Sequence, residues 1–148
     1  MTATLAAPSA LSAFATFRPS GRSGGMPPLS VPAGDYHRHV AAGAVAVDIR
    51  SQAVRERDGV VFGAVAVPAD AVLDRLTPGG PDALRIAAPG ARWLLISDDG
   101  HDAEWLAWHL QARGVLGARF VVGGHRRMCS ERINGSVSPA ELAMISAH

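Results

Sequence analysis

Short apolar blocks recur along the chain, separated by charged or helical stretches and punctuated by glycine and proline. Ala44-Val45-Ala46-Val47-Asp48-Ile49 is a nearly continuous apolar run, the pattern of a buried parallel strand. A second run, Val60–Val67, contains Gly63 and is closed by Pro68. Trp93–Ile96 is the third and clearest strand, and Arg119–Val122 the fourth. Helical stretches lie between them. A short helix is expected over Tyr36–Ala42, after a turn and cap at Ser30–Asp35, and is stopped by Gly43. Gln52–Asp58 is charged and helical, with Gly59 at its end. In Ala69–Leu76 the apolar positions Ala69, Val72, Leu73 and Leu76 fall at i, i+3, i+4 and i+7. The helix over Ala103–Arg113 turns Ala103, Leu106, Ala107 and Leu110 inward, and Gly114 sits at its C′ position. Gly123-Gly124 leads into another helix, and Ser138-Pro139-Ala140-Glu141 reads as a capped helix start.

Strands alternating with helices predict an α/β fold, a parallel sheet covered on both faces. In such a sheet the C-terminal ends of the strands share one edge, and ligands bind there. That edge gathers Asp48–Ser51, Ser97–Asp102 and Gly123–Arg127.

Composition narrows the picture. The 148 residues have room for one domain, and 48% apolar content suffices for a core. A net charge of +1 gives no reason to expect nucleic acid or an acidic membrane as partner. All 14 basic residues are arginine, which suggests a GC-rich, bacterial genome. The single cysteine, Cys129, excludes an internal disulfide and a multi-cysteine metal site, so a reducing cytoplasm is expected. No run approaches the ~18 apolar residues of a membrane span, and the N-terminus lacks the basic region of a secretory signal. Residues 1–28, rich in Ala, Ser, Pro and Gly and free of acids, read as a disordered tail ahead of a domain over 29–148. Met26, after Ser23-Gly24-Gly25, is an alternative start.

Four landmarks, in order, give the chain a family likeness. They are Asp48-Ile49-Arg50 at a strand end, and Arg55-Glu56-Arg57 followed by Gly59-Val60-Val61-Phe62-Gly63-Ala64. The strand ending at Ile96 then enters the loop Ser97–Asp102 and a helix, and Gly123-Gly124 follows the final strand. From about Val31 to Met128 the sequence resembles the rhodanese-like domain. The resemblance implies a five-stranded parallel sheet flanked by helices. It also implies a six-residue loop whose amides cradle sulfane sulfur on a cysteine persulfide, and a structural Asp48–Arg50 pair bracing that loop's edge.

At the centre the chain departs from the family. The family's cysteine falls on Ser97 and its loop arginine on Asp102. A thiol with a free pKa near about 8.5 gives an accessible thiolate; a serine hydroxyl does not and cannot carry a persulfide. Asp98, Asp99 and Asp102 would also repel thiosulfate or phosphate from an amide nest.

Other chemistry must be weighed against blander readings. Ser97, His101 and Asp102 are the residue types of a hydrolase triad, but a tight loop fans its side chains outward, so a solvated polar loop is favoured. Asp98, Asp99, His101 and Asp102 have oxygen ligands suited to Mg²⁺ or Ca²⁺, yet aspartates also favour a helix N-terminus for its dipole; no metal or other cofactor is expected. Cys129 has His125, Arg126, Arg127 and Arg132 as neighbours, cations that could lower its pKa; an inert, partly buried cysteine is the favoured alternative. Trp105 and Trp108 share a helix face and are expected to pack against a neighbouring helix, or to anchor an interface if exposed. His37 and His39, two apart on a helix, point different ways and disfavour a shared metal.

The expected function is a catalytically degenerate rhodanese-homology module; the missing loop cysteine leans against an enzyme without deciding the matter. It would bind a protein partner or a small anion or sulfur compound through Ser97, Asp98, Asp99, Gly100, His101 and Asp102, with Asp48, Arg50, Arg126 and Arg127 in support. The alternative is a sulfurtransferase with residual activity through Cys129.

Overall fold

A computed structural model describes residues 28–133 and the strand at 136–137. The tail expected over 1–28, except its last residue, and the helix start at Ser138 lie outside the described residues. The elements are β1 (Ser30–Val31), α1 (Tyr36–Ala41), β2 (Val45–Asp48), α2 (Gln52–Asp58), β3 (Val60–Val61) and β4 (Val65–Ala66). They continue with α3 (Val72–Leu76), β5 (Trp93–Ile96), α4 (His101–Ala112), β6 (Ala118–Val121), α5 (Gly124–Ser130) and β7 (Ser136–Val137).

The protein is α/β. Five strands form an all-parallel sheet in the order β1-β6-β5-β2-β4, and β3 pairs antiparallel with β7. Strand β5 is central, with Leu95 opposite Val47 on one side and Phe120 on the other. All four of its residues are buried, which explains why it reads so clearly as an unbroken apolar run. Each such side chain is worth about 1.5–3 kcal/mol of burial.

Side chains alternate across the sheet. Trp93 and Leu95 join Val72 and Leu76 of α3 and Ala103, Leu106, Ala107 and Leu110 of α4 on one face. Leu94 and Ile96 join Tyr36 of α1 and Met128 of α5 on the other. The helical stripe read from Ala103 to Leu110 is therefore the stripe that α4 buries.

Several elements differ from the sequence reading. Ser30-Val31 is an edge strand rather than a turn, held by Phe120 N–H to Leu29 O and Val122 N–H to Val31 O, both 2.9 Å. Two residues carry no period, so only the neighbouring β6 makes them a strand. The run Val60–Val67 splits into β3 and β4, in different sheets, because Gly63 at φ +86° turns the chain between them. Ala69–Ala71 forms a 3₁₀ turn ahead of α3. Asp35 makes no cap hydrogen bond; it pairs with Arg38 at 2.7 Å. Trp105 and Trp108 do not pack against a neighbouring helix. They are 59% and 55% exposed, in ring contact with His109 between them at centroid distances of 3.9 and 5.0 Å.

Candidate functional site

Strand β5 delivers Ser97 to the C-terminal edge of the sheet, where it is only 3% exposed. Its Oγ accepts hydrogen bonds from the Gly100 amide at 3.0 Å and the Ala103 amide at 3.2 Å. Ala103 lies in the first turn of α4, where backbone N–H groups have no helical partner. Ser97 thus satisfies from the strand end what a side-chain cap would satisfy, and Gly100 occupies the cap position at φ +95°.

The loop's carbonyls are held from the opposite side. The amides of His125 and Arg126, in the first turn of α5, donate to Ser97 O at 2.8 Å and Asp98 O at 3.0 Å. This approach requires glycine at position 124, which sits at φ +61°: a Cβ there would stand 2.3 Å from Ser97 O. Gly123-Gly124 is therefore the device that lets α5 close on the loop.

Asp48 and Arg50 form a buried pair beside the loop. The Arg50 Nε and Nη2 donate to Asp48 Oδ1 and Oδ2 at 2.9 and 2.7 Å, and the Arg50 amide donates to Oδ1 at 3.1 Å. Nη2 also donates to Gly59 O at 2.9 Å. The pair's hydrogen bonds thus reach the end of α2, not the Ser97–Asp102 loop.

The other loop side chains fan outward. Asp98 is half-buried and pairs with Arg126 at 2.8 Å; Asp99, His101 and Asp102 are exposed. The His101 amide donates to Asp99 Oδ1 at 3.0 Å, and this bond holds the Asp99 carboxyl below its ordinary pKa. Ser97 Oγ thus meets backbone amides rather than the imidazole of His101. No three His, Cys, Asp or Glu side chains converge as a metal site among the described residues. Arg127 pairs instead with Glu131, the residue that caps the end of α5, at 3.3 Å.

A cavity of about 470 Å³ opens beside the loop. Arg50, Ser97, Asp98 and Asp102 line it, together with Pro68 and Asp70. The last two were missed from sequence because β4 is only two residues long, so its C-terminal end did not register as part of the edge. The pairing of β2 with β4 is what brings Pro68–Asp70 there.

His125 and Cys129 are neighbours on α5, with Cys129 Sγ 3.5 Å from Nε2 and 3.8 Å from Nδ1. Burial pushes the His125 pKa down, and Arg50 pushes it further, against Asp48, Asp58 and Asp98. Burial, the larger effect, and Arg50 thus both favour the neutral ring. Arg126 and Arg127 are paired with carboxylates, Arg132 has no ion pair among the described residues, and Cys129 is exposed rather than partly buried as expected.

Neither a family model nor a curated protein matches the sequence. Solved structures do. The chain is similar to a protein of unknown function from Rhodopseudomonas palustris, described as a possible tyrosine phosphatase, with TM-score 0.65 and 21% identity over 75% of this chain and 85% of that one. It is similar to a rhodanese-related protein from Thermoplasma volcanium, with TM-score 0.56 and 16% identity over 70% and 92% of the two chains. A rhodanese-like domain protein from Staphylococcus aureus gives TM-score 0.54 and 19% identity over 73% and 95%. The fold is rhodanese-like.

Within this rhodanese-like fold Ser97–Gly100 connects the central strand to its helix, and His101 and Asp102 open the first turn of α4, at the C-terminal edge expected to hold the site. No described helix is long and apolar enough to cross a membrane.

Proposed function

We propose that this protein is a rhodanese-homology module that binds a partner instead of transferring sulfur. The observation that carries this reading is the pair of hydrogen bonds from the Gly100 and Ala103 amides to Ser97 Oγ. An amide cradle activates a cysteine by stabilising its thiolate and the anion bound to it. Here a neutral hydroxyl occupies those donors, and it has no thiolate chemistry. Asp98, Asp102 and Asp70 around the cavity oppose thiosulfate or a phosphate group, so the likeness to a possible tyrosine phosphatase supplies no phosphatase reading. The cavity suits a partner that brings a cation to Asp70 and Asp102, because Asp98 is already paired with Arg126.

Thiosulfate-to-cyanide transfer, read as thiocyanate, tests the catalytic half on wild type beside Ser97→Cys. An inactive wild type is expected, and turnover by wild type overturns the reading. Amide-shift mapping with an arginine-rich peptide tests the binding half. Shifts centred on Ser97–Asp102 support it; shifts elsewhere, or none, sink it.

Sulfur transfer through Cys129 is the runner-up, and the contact between its Sγ and His125 is what favours it. It requires labelled sulfane sulfur to appear on Cys129 and to be lost in Cys129→Ser.

A further inference from the structure

The edge of the sheet opposite the loop holds a second cavity, of about 250 Å³, at the N-terminal ends of β2, β5 and β6. Its walls bring together Arg38 and His39 of α1, Arg92 just before β5, and Arg119 of β6. No carboxylate is among its lining residues. Three guanidinium groups and an imidazole from three separate segments therefore meet around one concave space.

The charges there are only partly compensated. Arg38 pairs with Asp35 at 2.7 Å. Arg92 Nη2 donates to the Ala42 carbonyl, a neutral acceptor. Neither Arg92 nor Arg119 has a carboxylate partner among the described residues. Arg119 alternates with the inward-facing Ala118 and Phe120, so it lies on the face that α1 covers, and it is half-buried. A concave site walled by one sign of charge focuses its field on the space it encloses. Planar guanidinium groups match the oxygen pairs of phosphate, and more than one can engage the same anion.

We propose that this cavity binds a small anion of the phosphate class, a phosphate or pyrophosphate group, between Arg92, Arg119 and Arg38. The site is separate from the loop edge and does not depend on how that edge functions. Its size suits a compact anion rather than a drug-sized ligand, whose pockets run to about 300–1,000 Å³. The electrostatic setting of His39 agrees: burial lowers its pKa first, then Arg119 and Arg38, with Asp35 opposing and Arg92 adding to the depression. An anion seated among these arginines would cancel that repulsion, and His39 would titrate at higher pH.

Calorimetric titration with inorganic pyrophosphate at physiological salt tests the proposal, alongside Arg119→Gln, Arg92→Gln and, as a control outside the cavity, Arg113→Gln. Saturable binding by wild type is expected, weakened at least tenfold in each cavity variant and unchanged in the control. In parallel, the His39 imidazole resonance should titrate at higher pH when pyrophosphate is present. Absence of saturable binding overturns the proposal. So does wild-type affinity in both Arg119→Gln and Arg92→Gln, which would place the anion elsewhere. Arg92 is exposed on a loop, so its variant keeps the test valid if Arg119→Gln disturbs the sheet.

Discussion

At the C-terminal edge of the sheet the amides of Gly100 and Ala103 are committed to Ser97 Oγ, and Arg50 is committed to Asp48 and Gly59. At the N-terminal edge Arg92 and Arg119 have no carboxylate among the described residues. The two edges use the same parallel strands, yet at one the donors are partnered behind acidic side chains, Arg50 Nη1 alone excepted among those named, and the other presents cations around an open cavity. Donors that already have partners stabilise the fold. Donors without charged partners are available to a ligand. Substitutions of the partnered groups at the first edge, Ser97 and Arg50, should therefore change stability, and substitutions of the arginines at the second should change recognition.

The largest effect is expected at Arg50→Ala. Asp48 and Arg50 side chains are each 2% exposed, and removing one member of a buried pair leaves a charge without its partner. The expected loss is about 3–5 kcal/mol, read by urea denaturation; a loss under about 1 kcal/mol would remove the pair from the framework. Ser97→Ala comes next. It leaves two amides without an acceptor and should cost about 1–3 kcal/mol, with less destabilisation in Ser97→Thr if the threonine Oγ1 keeps the bonds. A neutral Ser97→Ala result would mean water replaces the hydroxyl.

The pH dependence sharpens the comparison further. The folded-state pKa of His125 lies below its ordinary 6.5 because the ring is buried. As pH falls below 6.5 the unfolded chain takes up the proton first, so stability present above that pH is lost on acidification through the folded pKa. Denaturation midpoints should fall across this range, and His125→Gln should flatten the slope; an unchanged slope would assign the acid sensitivity to other groups. The smallest effect on stability is expected at the far edge. Arg119→Gln should change unfolding by no more than about 0.5–1 kcal/mol while it weakens pyrophosphate binding. A large destabilisation there would make Arg119 a structural residue like Arg50.

Much of the fold was legible in the chain. Where a segment carries an unbroken apolar run, an apolar stripe or its own cap and stop, its local pattern and its tertiary environment agree. Strand β5 at Trp93–Ile96 and helix α2 at Gln52–Asp58 were read with the bounds the structure gives them. The buried stripe Ala103, Leu106, Ala107 and Leu110 was also read correctly. Helix α2 even carries its own punctuation, since Ser51 Oγ accepts from the Val54 amide at 3.2 Å and Gly59 ends it at φ +97°. The fold class and the grouping of the three loop segments followed from these blocks.

What the sequence alone determined is thus the alternation of strands and helices and the residue types at the loop, because periodicity, capping and side-chain chemistry are local properties. Tertiary structure decided the rest. Ser30-Val31 became a strand only because β6 offers it backbone partners, and Pro68–Asp70 reached the loop cavity only through the pairing of β2 with β4. The Ser97 hydroxyl found its two amides through the loop's closure against Gly124. Arg38, Arg92 and Arg119 lie far apart in the chain and share no motif. Only the parallel order of the sheet, which sets the starts of β2, β5 and β6 side by side, brings them to one cavity.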